Sequence, residues 1–237
     1  MSKIRLNDIL DSINDFFFPR ICEGCGSVGA YICDECMRIK FKFVDVQRCH
    51  VCKKKVHKGV AHDKCGGKTR LDGVFIISKY SKFIEDYIGD IKYEFYYAMI
   101  DDLVKVMNFA LKKNIDFKRI VKSSAITFVP LHKKRKRWRG FNQSEEMAKK
   151  IADFWNCPCL KLLNRVKNTK CQVGLDKKER LNNLDNSIKI VQGTDVKTSS
   201  IIVVDDVMTT GNTLEECAKV LKSKGFKKIY GLIFARG

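Results

Sequence analysis

Hydrophobic positions along the chain fall into three regimes. Leu6, Ile9, Leu10, Ile13 and Phe17 recur at helical spacing with Asp8, Asp11 and Asp15 between them. This predicts a short amphipathic helix ending near Pro19. From Cys22 to about Arg70 long apolar side chains are few, while Cys, Gly and Lys abound. Burial alone would hardly fold such a segment, so a bound metal has to stabilise it. Beyond a boundary near Leu71, strand-like and helical patterns alternate. Residues 73–80, 125–130, 188–191, 201–204 and 229–234 read as strands. Residues 83–111, 144–155 and 214–224 read as helices, the last closed by Gly225. The unbroken Ile201-Ile-Val-Val204 run suits a strand buried on both faces of a parallel sheet. The expected class is therefore α/β, a parallel sheet with helices on both faces and a small module before it.

Composition narrows the chemistry. The 237 residues carry a formal net charge of +19 and 11 cysteines. That excess favours polyanionic partners: nucleic acid, phosphorylated metabolites or acidic lipid. No apolar run approaches the roughly 18 residues of a membrane span. Phe16-Phe17-Phe18 follows several acids rather than a basic start, so export is not expected and the reducing cytoplasm is. There, clustered thiols act as metal ligands more often than as disulfides.

The cysteine spacing is specific. Cys22-x2-Cys25, Cys33-x2-Cys36, Cys49-x2-Cys52 and His62-x2-Cys65 form successive knuckles. One CxxC presents two thiolates to an ion, and a second completes a tetrahedron. Sequential pairing gives two zinc sites: Cys22, Cys25, Cys33 and Cys36; then Cys49, Cys52, His62 and Cys65. Interleaved pairing satisfies the same spacing, and His50 and His57 compete with His62 for the final position. With no ligand position vacant, one or two Zn2+ ions would be structural. Gly24 and Gly26 suit the tight turn of the first knuckle. The chain divides accordingly into an N-terminal helix (1–20), a double zinc ribbon (21–70) and an α/β domain (71–237). Cys157, Cys159, Cys171 and Cys217 lack ligand spacing and read as core or incidental thiols.

The 201–213 segment delivers Asp205 and Asp206 from a buried strand, followed by Thr209, Thr210, Gly211, Asn212 and Thr213 before a helix. Backbone N–H groups at such a loop favour a phosphate dianion, with the threonine hydroxyls as further donors. The two acids suit vicinal ribose hydroxyls, directly or through Mg2+. This segment resembles the diphosphoribose (PRPP) signature of type I phosphoribosyltransferases.

Further motifs narrow the resemblance. Val129-Pro130-Leu131-His132 followed by Arg139-Gly-Phe-Asn-Gln143 is similar to the ComF family, which joins a zinc ribbon to a phosphoribosyltransferase-like domain. Ile91-Lys-Tyr93, Gln172 with Val173-Gly-Leu175, and Glu179-Arg180 with Asn182-Asn183 extend the match from about Phe18 to Arg236. Phe128 stands where the family commonly has Pro, and His62 where it commonly has Cys. The resemblance implies that Val129–His132 is a diphosphate loop faced by Arg135 and Arg139. It places Lys170 and Gln172 on a hood, and Asp205 and Asp206 as the catalytic acids of any transfer. It also implies a competence factor that binds single-stranded DNA during natural transformation, with a DNA-translocating helicase as partner. The alternative is an active enzyme moving a phosphoribosyl group from PRPP, with Mg2+, to a nitrogen nucleophile.

Two basic tracts bear on that choice. Lys133, Lys134, Arg135, Lys136, Arg137 and Arg139 are interrupted only by Trp138, with Phe141 close behind. Cations beside aromatics track a sugar-phosphate backbone and stack bases, although a charge run also serves as a solvated surface. Lys219, Lys222, Lys224, Lys227 and Lys228 form a second cluster, read chiefly as a soluble helix exterior.

Overall fold

A computed structural model describes residues 19–56, 60–94, 96–167, 187–193, 196 and 198–237. The expected N-terminal helix, His57, Cys171, and the hood residues Lys170 and Gln172 lie outside the described residues. Contacts divide the chain into two compact units, Met1–Lys42 and Phe43–Gly237.

In the first unit, α1 spans Asp34–Lys40. Cys22, Ile32, Cys36, Met37 and Phe41 are its buried apolar residues. The second unit opens with the second Cys/His segment and a single turn, α2 (Asp63–Gly66). Then follow β1 (Gly73–Lys79), α3 (Lys82–Tyr93), α4 (Met99–Leu111), α5 (Ile115–Val121) and β2 (Ser124–Phe128). The chain continues through α6 (Lys133–Arg139), α7 (Gln143–Trp155), β3 (Leu163–Arg165) and β4 (Ile188–Ile190). It ends with β5 (Ser200–Met208), α8 (Asn212–Ser223) and β6 (Lys228–Arg236).

Four strands form an all-parallel sheet in the order β1-β6-β5-β2. Alternating side chains point to opposite faces of it. One face carries Val74, Ile76, Ala125, Ile201, Val203, Ile229 and Ile233, packed by Leu214, Cys217, Ala218 and Leu221 of α8. On the other, Phe75 meets Phe117 of α5 edge-on at 5.4 Å, and Phe117 meets Trp155 of α7 at 5.2 Å. Both faces are thus covered by helices, which is why β5 reads as continuous apolar sequence.

The structure refines three expected elements. The single helix expected over 83–111 is two, α3 ending at Tyr93 and α4 beginning at Met99. The Tyr87 hydroxyl donates to the Met99 carbonyl at 3.0 Å and pins the second helix back onto the first. The segment at 188–191 does not join the main sheet; it pairs antiparallel with β3 in a separate two-stranded sheet. Finally, β5 runs past Val204 to Met208, because Asp205, Val207 and Met208 keep their register with β6. The acid pair therefore stands on the carboxyl end of a strand, where open α/β sheets bind ligands.

Candidate functional site

The knuckles close sequentially. Cys22, Cys25, Cys33 and Cys36 bring their sulfurs within 4.8 Å of one another, as do the ligand atoms of Cys49, Cys52, His62 and Cys65. Cys25 Sγ lies 3.7 Å from Cys33 Sγ, near the edge of about 3.8 Å implied by tetrahedral Zn–S bonds of about 2.3 Å. The donor sets and spacings fit zinc. His62 turns Nδ1 toward Cys52 Sγ at 3.3 Å and Nε2 toward the Lys55 carbonyl at 2.8 Å. That second bond is the usual support of a metal-binding imidazole. His50 is drawn away: its Nε2 lies 2.7 Å from the Thr69 hydroxyl and 3.6 Å from the Glu215 carboxylate.

Both sites rest on one turn. Cys22 N–H donates to Ser27 O and Gly26 N–H to Cys22 O; Cys49 N–H donates to Lys54 O and Lys53 N–H to Cys49 O. The residue after the second cysteine is left-handed in each, Gly26 at φ 76° and Lys53 at φ 64°. Gly24 is needed for another reason: a Cβ there would lie 2.6 Å from Cys36 Sγ.

The acid pair is held by α3 and α7. Lys92 Nζ lies 2.7 Å from Asp206 Oδ2. Gln143 Nε2 donates to that same oxygen at 2.9 Å, while Val207 N–H donates to Oδ1 at 2.6 Å. Burial opposes the Asp206 charge, but Lys92 and these donors outweigh it and hold the carboxyl below its usual pKa. Asp205 accepts from the Ser144 hydroxyl at 2.9 Å. Burial first, and then the Asp206 charge, push its pKa up to about 7. Arg139 Nη1 donates to Gln143 Oε1 at 2.5 Å, so one chain of bonds runs Arg139–Gln143–Asp206–Lys92.

These groups line a cavity of about 500 Å3, together with Val129, Pro130, Leu131, Arg135, Arg165, Thr209 and Thr213. Asn142 caps α7 and donates to the Val129 carbonyl at 3.0 Å, fixing the Val129–His132 loop to the helix that carries Gln143 and Ser144. Residues 205 and 207–214 enclose a smaller hollow at the start of α8. There Gly211 takes φ 88°, and Asn212 Nδ2 is buried with no hydrogen-bond partner.

The basic tract forms helix α6 and its cations separate by direction. Arg135 and Arg139 line the large cavity. Lys136 pairs with Glu145 at 2.6 Å. Lys133, Lys134, Arg137 and Trp138 are exposed. His132 caps the helix through Nδ1, and burial plus the surrounding cations depress its pKa. Tyr93, Tyr96 and Tyr97 are also exposed, and the Tyr93 ring packs against Trp138 with centroids 6.3 Å apart and planes tilted by 56°. In the second tract, Lys222 and Lys228 pair with Asp72 at 2.8 and 3.1 Å, and Lys219 lies 3.6 Å from Glu216. Much of that cluster is therefore neutralised internally.

Lys92, Gln143, Ser144 and Arg165 are site residues to which motif reading gave no role. Lys92 and Gln143 fell inside quoted motifs, but only the fold brings them to the acids. Arg165 sits on β3, which no periodicity announced, although its partner β4 lies in the segment read as a strand.

Residues 129–235 match the family model of the phosphoribosyl transferase domain. The chain is 29% identical to competence protein F of Haemophilus influenzae over 67% of this chain and 70% of that protein. It is 36% identical to DNA utilization protein YhgH of Salmonella typhi over 42% of this chain and 44% of that one. With competence protein ComFC of Bacillus subtilis it shares 34% identity over 41% and 38% of the two chains. It thus spans less than half of the latter two relatives. The parallel sheet carrying the acid pair is a phosphoribosyltransferase fold.

Proposed function

We propose that the chain is a competence factor of the ComF type, resembling competence protein F and ComFC, that acts in the cytoplasm, binds single-stranded DNA and holds a phosphoribosyl ligand such as PRPP. One observation carries this reading: α6 is two-sided. Arg135 and Arg139 turn into the cavity of the acid pair, while Lys133, Lys134, Arg137 and Trp138 are exposed to solvent. A single short helix thereby serves a small anion on one side and a polyanion on the other. The exposed cations neutralise backbone phosphates, and Trp138, backed by Tyr93, offers a stacking face to a base.

In the cavity, the 209–213 loop takes the 5-phosphate and the Val129–His132 loop, with Arg135 and Arg139, the diphosphate. Two Zn2+ ions hold the cysteine clusters and contribute to folding. A DNA-translocating helicase is the partner that receives or delivers the strand.

The test separates the two sides of α6. Charge reversal of the outward residues (Lys133→Glu, Lys134→Glu, Arg137→Glu) should weaken binding of a fluorescent oligothymidylate by at least about tenfold at low salt. PRPP affinity should stay within about threefold of wild type, since none of the three lines the acid-pair cavity, Lys133 bordering only the adjoining hollow at residues 130–132. Unchanged DNA affinity would remove the basis of the reading.

A further inference from the structure

The phosphoribosyl reading assigns the acid pair to ribose or to Mg2+, and the chemistry around Asp206 bears directly on which. Its two oxygens already take three donors: Lys92 Nζ and Gln143 Nε2 on Oδ2, and Val207 N–H on Oδ1. Side-chain exposure is 7% for Asp206 and 21% for Lys92, so this pair is formed away from bulk water. Mg2+ demands near-octahedral oxygens at about 2.0–2.1 Å. An ion on Oδ2 would have to displace two donors or share the oxygen with the ammonium, and one on Oδ1 would share that oxygen with the Val207 N–H and sit across the same buried carboxylate from the ammonium. Two like charges on one buried carboxylate repel strongly. The donor set around Asp206 does not fit Mg2+.

We propose that Lys92 takes the place of a protein-held divalent cation, so that the cavity accepts a phosphoribosyl anion without Mg2+. The arrangement is braced on each side. Gln143 is fixed by Arg139 through its carbonyl oxygen, and Lys92 sits in the last turn of α3, whose Tyr87 is bonded to the start of α4. Lys92 neutralises Asp206, leaving Arg135, Arg139 and Arg165 facing the same cavity against Glu85 and Asp205. The cavity therefore keeps a cationic lining without a metal, and the ligand's negative charge is met by arginines fixed in the fold. The Asp206 carboxylate orients the ammonium that faces the ligand.

This inference rests on the phosphoribosyl reading, and calorimetry of the full chain with PRPP distinguishes failure of one from failure of the other. In EDTA and in millimolar Mg2+, with zinc retained in both as checked by metal analysis, wild-type affinity should differ by less than about threefold. Lys92→Met should lose about tenfold or more in EDTA, the order expected for one charge-assisted contact. Mg2+ should restore part of that loss, and Lys92→Arg should keep metal-free binding. Thermal melts identify any variant that fails to fold, in which case Lys92→Arg carries the comparison. Wild-type binding that requires Mg2+ overturns the inference while leaving the phosphoribosyl reading intact. Absence of PRPP binding in both buffers overturns both.

Discussion

Thr69, four residues beyond the last cysteine of the second cluster, donates its hydroxyl to the Glu215 carboxylate on α8. Arg70 N–H reaches the same carboxylate at 2.9 Å, and His50 flanks it. Glu215 N–H bonds the carbonyl of Gly211, so the helix that follows the 209–213 loop is tied by its first turn to the segment after the second Cys/His cluster. Thr69→Val removes one partner of a half-buried carboxylate and should cost about 1–3 kcal/mol. Urea denaturation measures this. PRPP affinity should fall with it, because the same bond braces the loop.

The Asp205 carboxyl supplies a pH signature. Its folded pKa, raised from 3.8 to about 7, means that the native state binds more protons than the unfolded chain between about pH 4 and 7. Stability from this group consequently falls as pH rises through that window. Asp206, held low, contributes stability that is lost only as pH drops below the ordinary carboxylate range, so it does not mask the effect. Asp205→Asn should therefore gain stability relative to wild type between about pH 5 and pH 8. Each pKa unit of displacement is worth about 1.4 kcal/mol, and a gain of at least about that size is expected. A difference that does not change with pH would contradict the assignment.

The two knuckles make opposite predictions for glycine. Gly24→Ala drives a methyl into Cys36 Sγ and should abolish metal retention by the first cluster, read by elemental analysis. Lys53→Gly relieves a left-handed residue in the second cluster and should stabilise it by about 0.5–1 kcal/mol in thermal melts.

Local patterns carried much of this architecture. The Ile201–Val204 run announced a strand covered on both faces, and the CxxC spacing matches the two clusters that the fold assembles. What the chain pattern concealed were pairings between distant elements. Lys92 reads as one more surface cation in an amphipathic helix, yet it is the ion partner of Asp206. Glu215 likewise reads as an ordinary first-turn acid of α8, with no sign that Thr69 will meet it. Such contacts depend on how sheet and helices pack, and they leave no periodic trace. The run from 133 to 139 illustrates the same limit. Six similar cations occupy three environments: cavity, ion pair and solvent.

The central claim is that the outer face of α6 engages single-stranded DNA through its phosphates. Oligonucleotide affinity measured from about 50 to 300 mM salt tests it most directly. With three outward cations engaged, log K should fall against log salt with a slope near −2, at about −0.7 per phosphate contact. The Lys133→Glu, Lys134→Glu, Arg137→Glu variant should flatten that slope. A wild-type slope near zero, or one that the variant leaves unchanged, would contradict the account.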